Sequence, residues 1–374
     1  MKFERINPVK ICTIVGARPQ FIKAAALSRA LKAKYNEIII HTGQHYDSNM
    51  SEIFFEELKI PKPRYNLGVS GGSHGKMTGE MIIKIEEVLL VEKPDMVLLY
   101  GDTNSTLAGA IATVKLKIPM CHVEAGNRIA PISNPEEVNR ILTDNVSSVL
   151  FCCVESAVES LRKEGRTENV YLVGDPMYDA FLFYKNKLSE HMTNMVVFDF
   201  NETRIRVPSD YYYLTCHRPE NEDEEKLFEI LFAMNSLEHK TVYPVHPRNR
   251  ERIRQICAQN GFSNIVLTLP VSYLMSLYLV INSRKVVTDS GGLQKEAFFA
   301  KRQCITIDDY VSWPEIMGGN CNQLASPIKD DILSKLNVVP EWNDGYYPFG
   351  NGHACEKIVD IIGSIDVLNK GSVL

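Results

Sequence analysis

The sequence lacks the features that define several large classes of protein. Its nine cysteines include no Cys-x-x-Cys pair, no zinc-binding spacing and no even number for a disulfide framework. The net charge of −5, from 41 basic and 46 acidic residues, is spread along the chain and argues against a nucleic-acid partner. The longest apolar stretch, residues 271–281, is too short to span a bilayer, and the first residues lack a signal-peptide core. We therefore expect a cytoplasmic protein with reduced thiols and no membrane partner.

Two common nucleotide-binding motifs are also missing. No Gly-x-x-x-x-Gly-Lys-Ser/Thr loop occurs, which disfavours a phosphate-transferring ATPase. No Gly-x-Gly-x-x-Gly follows the first predicted strand, which disfavours a dinucleotide cofactor. The chain of 374 residues, 45% of them apolar, is longer than one hydrophobic core usually serves and predicts two domains.

Short β-rich runs alternate with segments of helical periodicity through both halves of the chain. The predicted strands are 11–15, 38–41, 96–100, 120–123 and 149–152, then 211–215, 241–245, 265–267, 285–288 and 304–307. Such alternation predicts a parallel sheet covered by helices in each half, that is, an α/β protein of two Rossmann-like, doubly wound domains.

Polar residues follow seven of these strands, where open parallel sheets bind their ligands. After the first strand, Gly16-Ala-Arg18 leads into a helix that begins at Pro19 and carries Lys23. Helix N-termini attract phosphate, and two cations add formal charge. In the second half, the glycines of Asp289-Ser-Gly-Gly-Leu-Gln-Lys-Glu296 predict a diphosphate site, with Glu296 placed to accept hydrogen bonds from ribose hydroxyls.

Three carboxylates occupy predicted site positions in the first half: Asp102, Glu124 and Glu136. Separate acids suit proton transfer on two faces of a sugar, and His217 is suited to protonate or bind a leaving phosphate. Glu136 has a simpler alternative role, because a carboxylate in the first turn of a helix complements the helix dipole. The alternative for Arg18 is the role of many arginines at a helix start, which pair with a nearby carboxylate. For His217 the alternative is a structural role, which is more common for a lone histidine. Glu137 is expected to be solvent-exposed beside Glu136.

Taken together, seven motifs resemble those of the UDP-N-acetylglucosamine 2-epimerase family. They are Gly-Ala-Arg-Pro-Gln-Phe-Ile-Lys23, Gly-Asp-Thr-Asn104, His-Val-Glu-Ala-Gly126, Pro-Glu-Glu-Val-Asn-Arg140, His-Arg-Pro-Glu-Asn221, His-Pro-Arg248 and Asp-Ser-Gly-Gly292, and the match runs from residue 10 to about 365. The resemblance implies a glycosyltransferase-B-like architecture with a cleft between the domains. Residues 1–176 with the C-terminal helix 358–374 would form the domain of the catalytic acids, and residues 177–357 the UDP-binding domain.

The resemblance also implies roles for individual residues. Asp102, Glu124, Glu136 and His217 match the catalytic residues. The substrate- and UDP-binding positions are Arg18, Lys23, Gln44, His45, Arg128, Arg218, His246, Val271, Ser290, Gly291, Gly292 and Glu296. The implied reaction inverts C2 of a UDP-linked 2-acetamido sugar through elimination of UDP and its re-addition. It needs no cofactor and no metal, because it is redox-neutral overall.

Finer motifs, including Gln44-His-Tyr-Asp47 and Gly174-Asp-Pro-Met-Tyr-Asp179, look like the branch that acts on modified sugars such as 2,3-diacetamido or 6-deoxy derivatives. The chain departs from that branch at Asn127, 129–134, Asn145 and Ile307-Asp308, where leucine, basic residues, histidine and arginine are usual. Fewer basic residues disfavour a carboxylated sugar, so we predict a neutral 6-deoxy sugar.

Other functions stay open at this point. A hydrolysing epimerase would release UDP and the free sugar, and the motifs do not separate it from the non-hydrolysing type. A glycosyltransferase of the same architecture is a second interpretation, which the motifs around Glu124 and Glu136 disfavour. A catalytically inactive nucleotide-sugar sensor is a third, but it would not need the proton-transfer groups. The resemblance further implies a homodimer and a role in the synthesis of surface polysaccharide or other glycan precursors.

Overall fold

The computed structural model describes residues 8–44, 56–128, 132, 134–191 and 196–365, with side chains described except at 189–191. The chain divides into two compact units. The first contains the described residues up to Leu182 and from Tyr347 onward, and the second is Phe183–Tyr346. Among the described helices, we find none with the length and apolar character needed to cross a bilayer.

The first unit is built on a parallel sheet of seven strands. They are β1 (Lys10–Val15), β2 (Asn36–His41), β3 (Tyr65–Asn66), β4 (Met96–Tyr100), β5 (Met120–Val123), β6 (Val149–Cys152) and β7 (Val170–Leu172), in the order β3-β2-β1-β4-β5-β6-β7. The five predicted strands of this half are confirmed. The edge strands β3 and β7 were not predicted, since two or three residues are too few for a recognisable alternation.

Helices cover both faces of this sheet. They are α1 (Arg18–Leu31), α2 (His74–Glu92), α3 (Asn104–Lys115), α4 (Pro135–Val146), α5 (Glu155–Lys163), α6 (Pro176–His191), which runs on into the second unit, and α12 (Ala354–Ser364). One core lies where the β-branched and aliphatic side chains of β1, β2 and β4 meet α2 and α3, around Ile14, Ile40, Ile85 and Leu99. Strands buried on both faces are typical of parallel sheets.

The second unit repeats the arrangement with six parallel strands. They are β10 (Tyr211–Thr215), β11 (Lys240–Pro244), β12 (Ile265–Thr268), β13 (Lys285–Thr288), β14 (Gln303–Ile307) and β15 (Asn322–Ala325), in the order β12-β11-β10-β13-β14-β15. A small antiparallel hairpin, β8 (Val196–Phe198) with β9 (Arg204–Arg206), precedes them. All five predicted strands of this half are confirmed, whereas the hairpin and β15 were not predicted.

The helices of the second unit are α7 (Glu224–Asn235), α8 (Arg250–Gln259), α9 (Tyr273–Asn282), α10 (Gly291–Phe299) and α11 (Lys329–Leu336). One core packs β10, β11 and β14 against α7, α8 and α11, and a second packs the opposite face against α9 and α10. In each sheet the strand that comes first in the chain pairs with the fourth, β1 with β4 and β10 with β13. This reversal of strand order creates a switch point at the carboxyl end of each sheet, where ligands bind in doubly wound proteins.

Candidate active site

Gln20 connects the two turns at the switch point of the first unit. Its Oε1 accepts hydrogen bonds from the backbone N–H groups of Gly16 and Ala17, at 2.7 and 3.0 Å. Its Nε2 donates to the Tyr100 carbonyl at 2.7 Å and to the hydroxyl of Thr103 at 3.0 Å. A buried amide thereby fixes the β1–α1 turn, which leads to the half-buried Arg18, against the β4–α3 turn.

Lys23 and Glu124 form a buried ion pair between α1 and the end of β5. The Lys23 Nζ lies 2.5 Å from the Glu124 Oε2, and their side chains are 5% and 9% exposed. Glu124 has a φ of +73°, a left-handed conformation that is uncommon for a residue other than glycine. The backbone N–H groups of Glu124 and Ala125 both donate to the Phe151 carbonyl. The sequence pattern alone gave no sign of this strained turn.

Asp102 lies beside this pair and has its own cation. A Cβ placed on Gly101 would lie 3.7 Å from Glu124 Oε1 and 4.0 Å from Lys23 Nζ, so the β4 turn runs past both groups. The guanidinium of Arg140 on α4 bridges the carboxylates of Asp102 and Glu137. Burial lowers the pKa of Arg140, but its carboxylate neighbours outweigh that effect and raise the pKa above its ordinary value.

The two neighbouring acids at the start of α4 have opposite environments. Glu137 is 2% exposed, so the prediction that it would be solvent-exposed is wrong. It points inward because the helix must neutralise buried Arg140, one turn away on the same face. Glu136 is exposed, and Asn134 caps the helix by accepting from the backbone N–H groups of both acids.

Arg140 is the main site residue in this unit that sequence reasoning missed. It belongs to the Pro-Glu-Glu-Val-Asn-Arg140 motif, but no role was assigned to it. The i,i+3 spacing from Glu137 was the available signal. Asn139 belongs to the same cluster, since its Nδ2 donates to the Asp102 carbonyl at 2.9 Å.

The remaining predicted positions of this unit are more scattered. The Oε1 of Gln44 accepts from the backbone N–H and the hydroxyl of Ser105, at 3.0 and 2.7 Å, which connects the end of β2 to α3. The Arg128 guanidinium makes a bidentate pair with Glu164 and contacts Asp144. The predicted ligand residue His45 lies outside the described residues.

Three buried side chains in this unit have the chemistry of metal ligands. Glu124, Cys153 and Asp175 each offer a ligand atom within 4.8 Å of the others. The Lys23 ammonium already supplies a positive charge to Glu124 at 2.5 Å, where a metal ion would have to displace it. We assign no metal site to this cluster.

Asp289 organises the switch point of the second unit. Its Oδ2 accepts from the backbone N–H groups of His217 and Arg218, both at 2.8 Å, and thereby joins the ends of β10 and β13. The Nδ1 of His217 lies 3.4 Å from Asp289 Oδ1, and 46% of the His217 side chain is exposed. The buried carboxylate therefore holds the backbone of a histidine whose ring reaches solvent.

The first turn of α10 follows directly. Ser290 caps the helix, and Gly291 and Gly292 are its first residues. A Cβ placed on Gly291 would lie 4.0 Å from Arg218 Nη2, so a guanidinium stands beside the helix N-terminus. Both features attract an anion.

Arg218 also has a carboxylate partner. It makes an ion pair with Asp308 at the end of β14, and its Nη1 donates to the Tyr310 hydroxyl at 3.2 Å. Burial raises the pKa of Asp308 above its ordinary value, although Arg218 opposes that shift. Asp308 is one of the positions at which this sequence departs from the modified-sugar branch. It directly contacts Arg218, a predicted ligand residue.

The other predicted positions of the second unit fall in two environments. Glu296 is 4% exposed within α10, so it is not a solvent-exposed helix carboxylate. Val271 is half-buried and packs against the apolar core of α9 and α10. His246 is exposed after β11, where its Nδ1 accepts from the backbone N–H of Arg248 at 3.3 Å.

Two doubly wound units, each with charged groups at its switch point, define a protein of the glycosyltransferase-B-like fold class, as predicted. The family model described as UDP-N-acetylglucosamine 2-epimerase matches residues 29–363. The chain belongs to this family, and its predicted enzyme class, an isomerase acting on a sugar nucleotide, is confirmed.

Two curated relatives cover nearly the whole chain. The UDP-N-acetylglucosamine 2-epimerase homolog of Methanococcus maripaludis is 45% identical, over 96% of this chain and 100% of its own length. The UDP-2,3-diacetamido-2,3-dideoxy-D-glucuronate 2-epimerase of Pseudomonas aeruginosa is 41% identical, again over 96% and 100%.

Solved structures support the same conclusion about fold. The Methanocaldococcus jannaschii UDP-GlcNAc 2-epimerase in complex with UDP-GlcNAc and UDP superposes with a TM-score of 0.81 at 37% identity, over 95% of this chain and 99% of that one. The UDP-GlcNAc 2-epimerase of Neisseria meningitidis bound to UDP-GlcNAc gives 0.83 at 26% identity, over 96% and 100%.

Proposed function

We propose that the protein inverts C2 of a UDP-linked 2-acetamido sugar by eliminating UDP to a glycal and adding it back on the other face. The observation that carries this proposal is an adjacent pair of acids in the first unit, each beside a cation: buried Glu124 against Lys23 and half-buried Asp102 against Arg140. Two separate acids suit a reaction in which one carboxylate removes the C2 proton and another acid, in its protonated form, returns a proton to the opposite face.

The C2 proton becomes removable only as the bond from C1 to the diphosphate oxygen breaks and the ring gains oxocarbenium character. Asp102 and Glu124 stabilise that cation and transfer the proton, with exposed Glu136 as the third acid. Arg18 is assigned to the diphosphate. No residue needs to change its oxidation state, so no redox cofactor is proposed.

The second unit is assigned the UDP moiety. The first turn of α10, with Arg218 beside it, offers backbone N–H groups and a positive charge to the leaving diphosphate. His217 is assigned the protonation of that group, since Asp289 holds its backbone at the end of β10 and its ring reaches solvent. Buried Glu296 in the same helix is assigned the ribose hydroxyls.

For the sugar, we propose a neutral 6-deoxy-2-acetamido hexose. The Arg218–Asp308 pair supports this choice, because a cation that is already neutralised attracts a sugar carboxylate less strongly. The relatives leave both kinds of substrate open, since one is named for UDP-N-acetylglucosamine and another for a diacetamido glucuronate. Turnover of the uronate alone would refute the neutral-sugar assignment.

Proton NMR in deuterated water tests the reaction with a panel of UDP-2-acetamido sugars. We expect deuterium at C2 of a UDP-linked 2-epimer, with UDP remaining bound to sugar. Accumulation of UDP and free 2-epimer would instead identify a hydrolysing enzyme. Binding without turnover in the parent, as in an Asp102→Asn control, would identify a nucleotide-sugar sensor.

Three further assignments remain proposals. The nine cysteines are buried thiols outside any disulfide, which supports a cytoplasmic location. Helix α2 exposes Ile83, Leu90 and Val91 at seven- and eight-residue spacing, which supports an apolar contact in a homodimer and is testable by sedimentation of Val91→Glu. The product would serve the synthesis of surface polysaccharide or another glycan.

A further inference from the structure

A buried histidine on β5 has acceptors at both ring nitrogens. The Nε2 of His122 lies 2.6 Å from the Gly101 carbonyl oxygen, and its Nδ1 lies 2.6 Å from Asp144 Oδ1. Both His122 and Asp144 are at most 1% exposed. A carbonyl oxygen only accepts, so Nε2 must carry a proton.

The other nitrogen carries a proton as well. Asp144 Oδ2 accepts from the Gly126 backbone N–H at 3.0 Å and from Arg128 Nη1 at 2.8 Å, which suits an ionised carboxylate. Burial raises the pKa of Asp144, but His122 and Arg128 outweigh it and hold that pKa below its ordinary value. An ionised Asp144 accepts from Nδ1, so the hydrogen-bond geometry calls for a donor at both ring nitrogens.

The pair touches every element that carries a proposed catalytic acid. The Gly101 carbonyl belongs to the peptide bond that leads into Asp102. Gly126 ends the strained turn that begins at Glu124, and a Cβ on Gly126 would lie 2.4 Å from the Ala157 carbonyl oxygen, so this position has no space for a side chain. Asp144 itself lies on α4, the helix that begins beside Glu136 and carries Arg140 one turn earlier.

We propose that His122 and Asp144 form a charged positioning pair that sets the spacing of Asp102 and Glu124. We assign neither residue a contact with the reacting atoms. The inference rests on the proposed epimerase function, because positioning is meaningful only for acids that act together. Misplacement of catalytic groups by about 1 Å can cost roughly 100-fold in rate.

The test compares Asp144→Asn with Asp179→Asn. Both substitutions are isosteric, and Asp179 also accepts backbone N–H groups in the first unit, from Ala354 and Cys355. In folded protein, Asp144→Asn is expected to lower kcat about 10- to 100-fold with KM changed less than about threefold. Asp179→Asn is expected to lower thermal stability with kcat unchanged. An unchanged kcat in folded Asp144→Asn overturns the positioning role.

A second readout does not depend on activity. With nitrogen-15 histidine labels, the His122 ring signals are those absent from His122→Gln, or those shifted in Asp144→Asn if His122→Gln fails to fold. Both ring nitrogens should be protonated in the parent and only one in Asp144→Asn. A single protonated nitrogen in the parent overturns the charged pair. Absence of epimerisation by the parent on the sugar panel overturns the proposed function instead, and the ring signals still decide the charged pair.

Discussion

The ammonium of Lys23 lies 2.5 Å from the carboxylate of Glu124, and both side chains are almost completely buried. Removing one partner leaves an uncompensated charge in a low-dielectric environment, whereas removing both does not. The pair is therefore testable by a double-mutant cycle.

Lys23→Gln is expected to lower the free energy of unfolding by about 3–5 kcal/mol and to abolish epimerisation. The double variant Lys23→Gln with Glu124→Gln should recover much of that stability but no activity, since the proposed acid is lost. Urea unfolding and C2-deuterium exchange measure the two effects. A double variant no more stable than Lys23→Gln would contradict the buried pair.

The two acids at the start of α4 should separate function from stability. Glu136→Gln is expected to change the free energy of unfolding by less than about 0.5 kcal/mol, because Glu136 is exposed, while turnover falls roughly 100-fold or more. Glu137→Gln should destabilise the fold by removing a buried partner of Arg140. Melting curves and steady-state rates distinguish the two outcomes, and a fully active Glu136→Gln would remove that acid from the mechanism.

Two glycines in left-handed conformations make a matched pair. Gly126 has φ +84° and Gly165 φ +78°, but a Cβ on Gly126 would meet the Ala157 carbonyl oxygen at 2.4 Å, whereas a Cβ on Gly165 would meet nothing within 4 Å. Gly165→Ala should cost about 1–2 kcal/mol of stability from backbone strain alone, with kcat preserved. Gly126→Ala should cost more and also lower kcat by displacing Glu124. Equal losses of stability would show that the turn has room to adjust.

The pH dependence of stability should report on Asp144. Its pKa is lowered in the folded state from 3.8, the unfolded-state value, because His122 and Arg128 outweigh burial. A carboxyl with a lowered folded-state pKa contributes stability above the unfolded-state pKa and loses it as the pH falls through the folded-state value. Asp144→Asn should therefore flatten the decline of stability below about pH 4, measured by urea unfolding across pH. An unaltered decline would exclude Asp144 as its source.

The sequence predicted the fold well because parallel strands buried on both faces form continuous apolar runs. The runs at 96–100 and 285–288 have no other ready interpretation and are strands with those bounds. Edge strands such as β3 and β15 escaped prediction because pairing with a neighbour, rather than their own pattern, defines them.

The site was predicted less completely, since a motif shows which residues are near the ends of strands and not which partners they take. Glu137 was predicted to be solvent-exposed because it neighbours Glu136. Its burial follows from the ion pair with Arg140, which lies three residues further along the same face of the helix. The hydrogen bonds that Gln20 donates through Nε2 join positions 80 or more residues apart, a separation that no local pattern encodes.

All nine cysteines are buried, and burial raises the pKa of thiols such as Cys216 and Cys355 well above the ordinary value. Alkylating dyes attack thiolates, so the native chain should react slowly with maleimides. An engineered surface cysteine in each unit would then take fluorophores without any native thiol being replaced. Single-molecule energy transfer on such a pair would follow the protein through a turnover cycle.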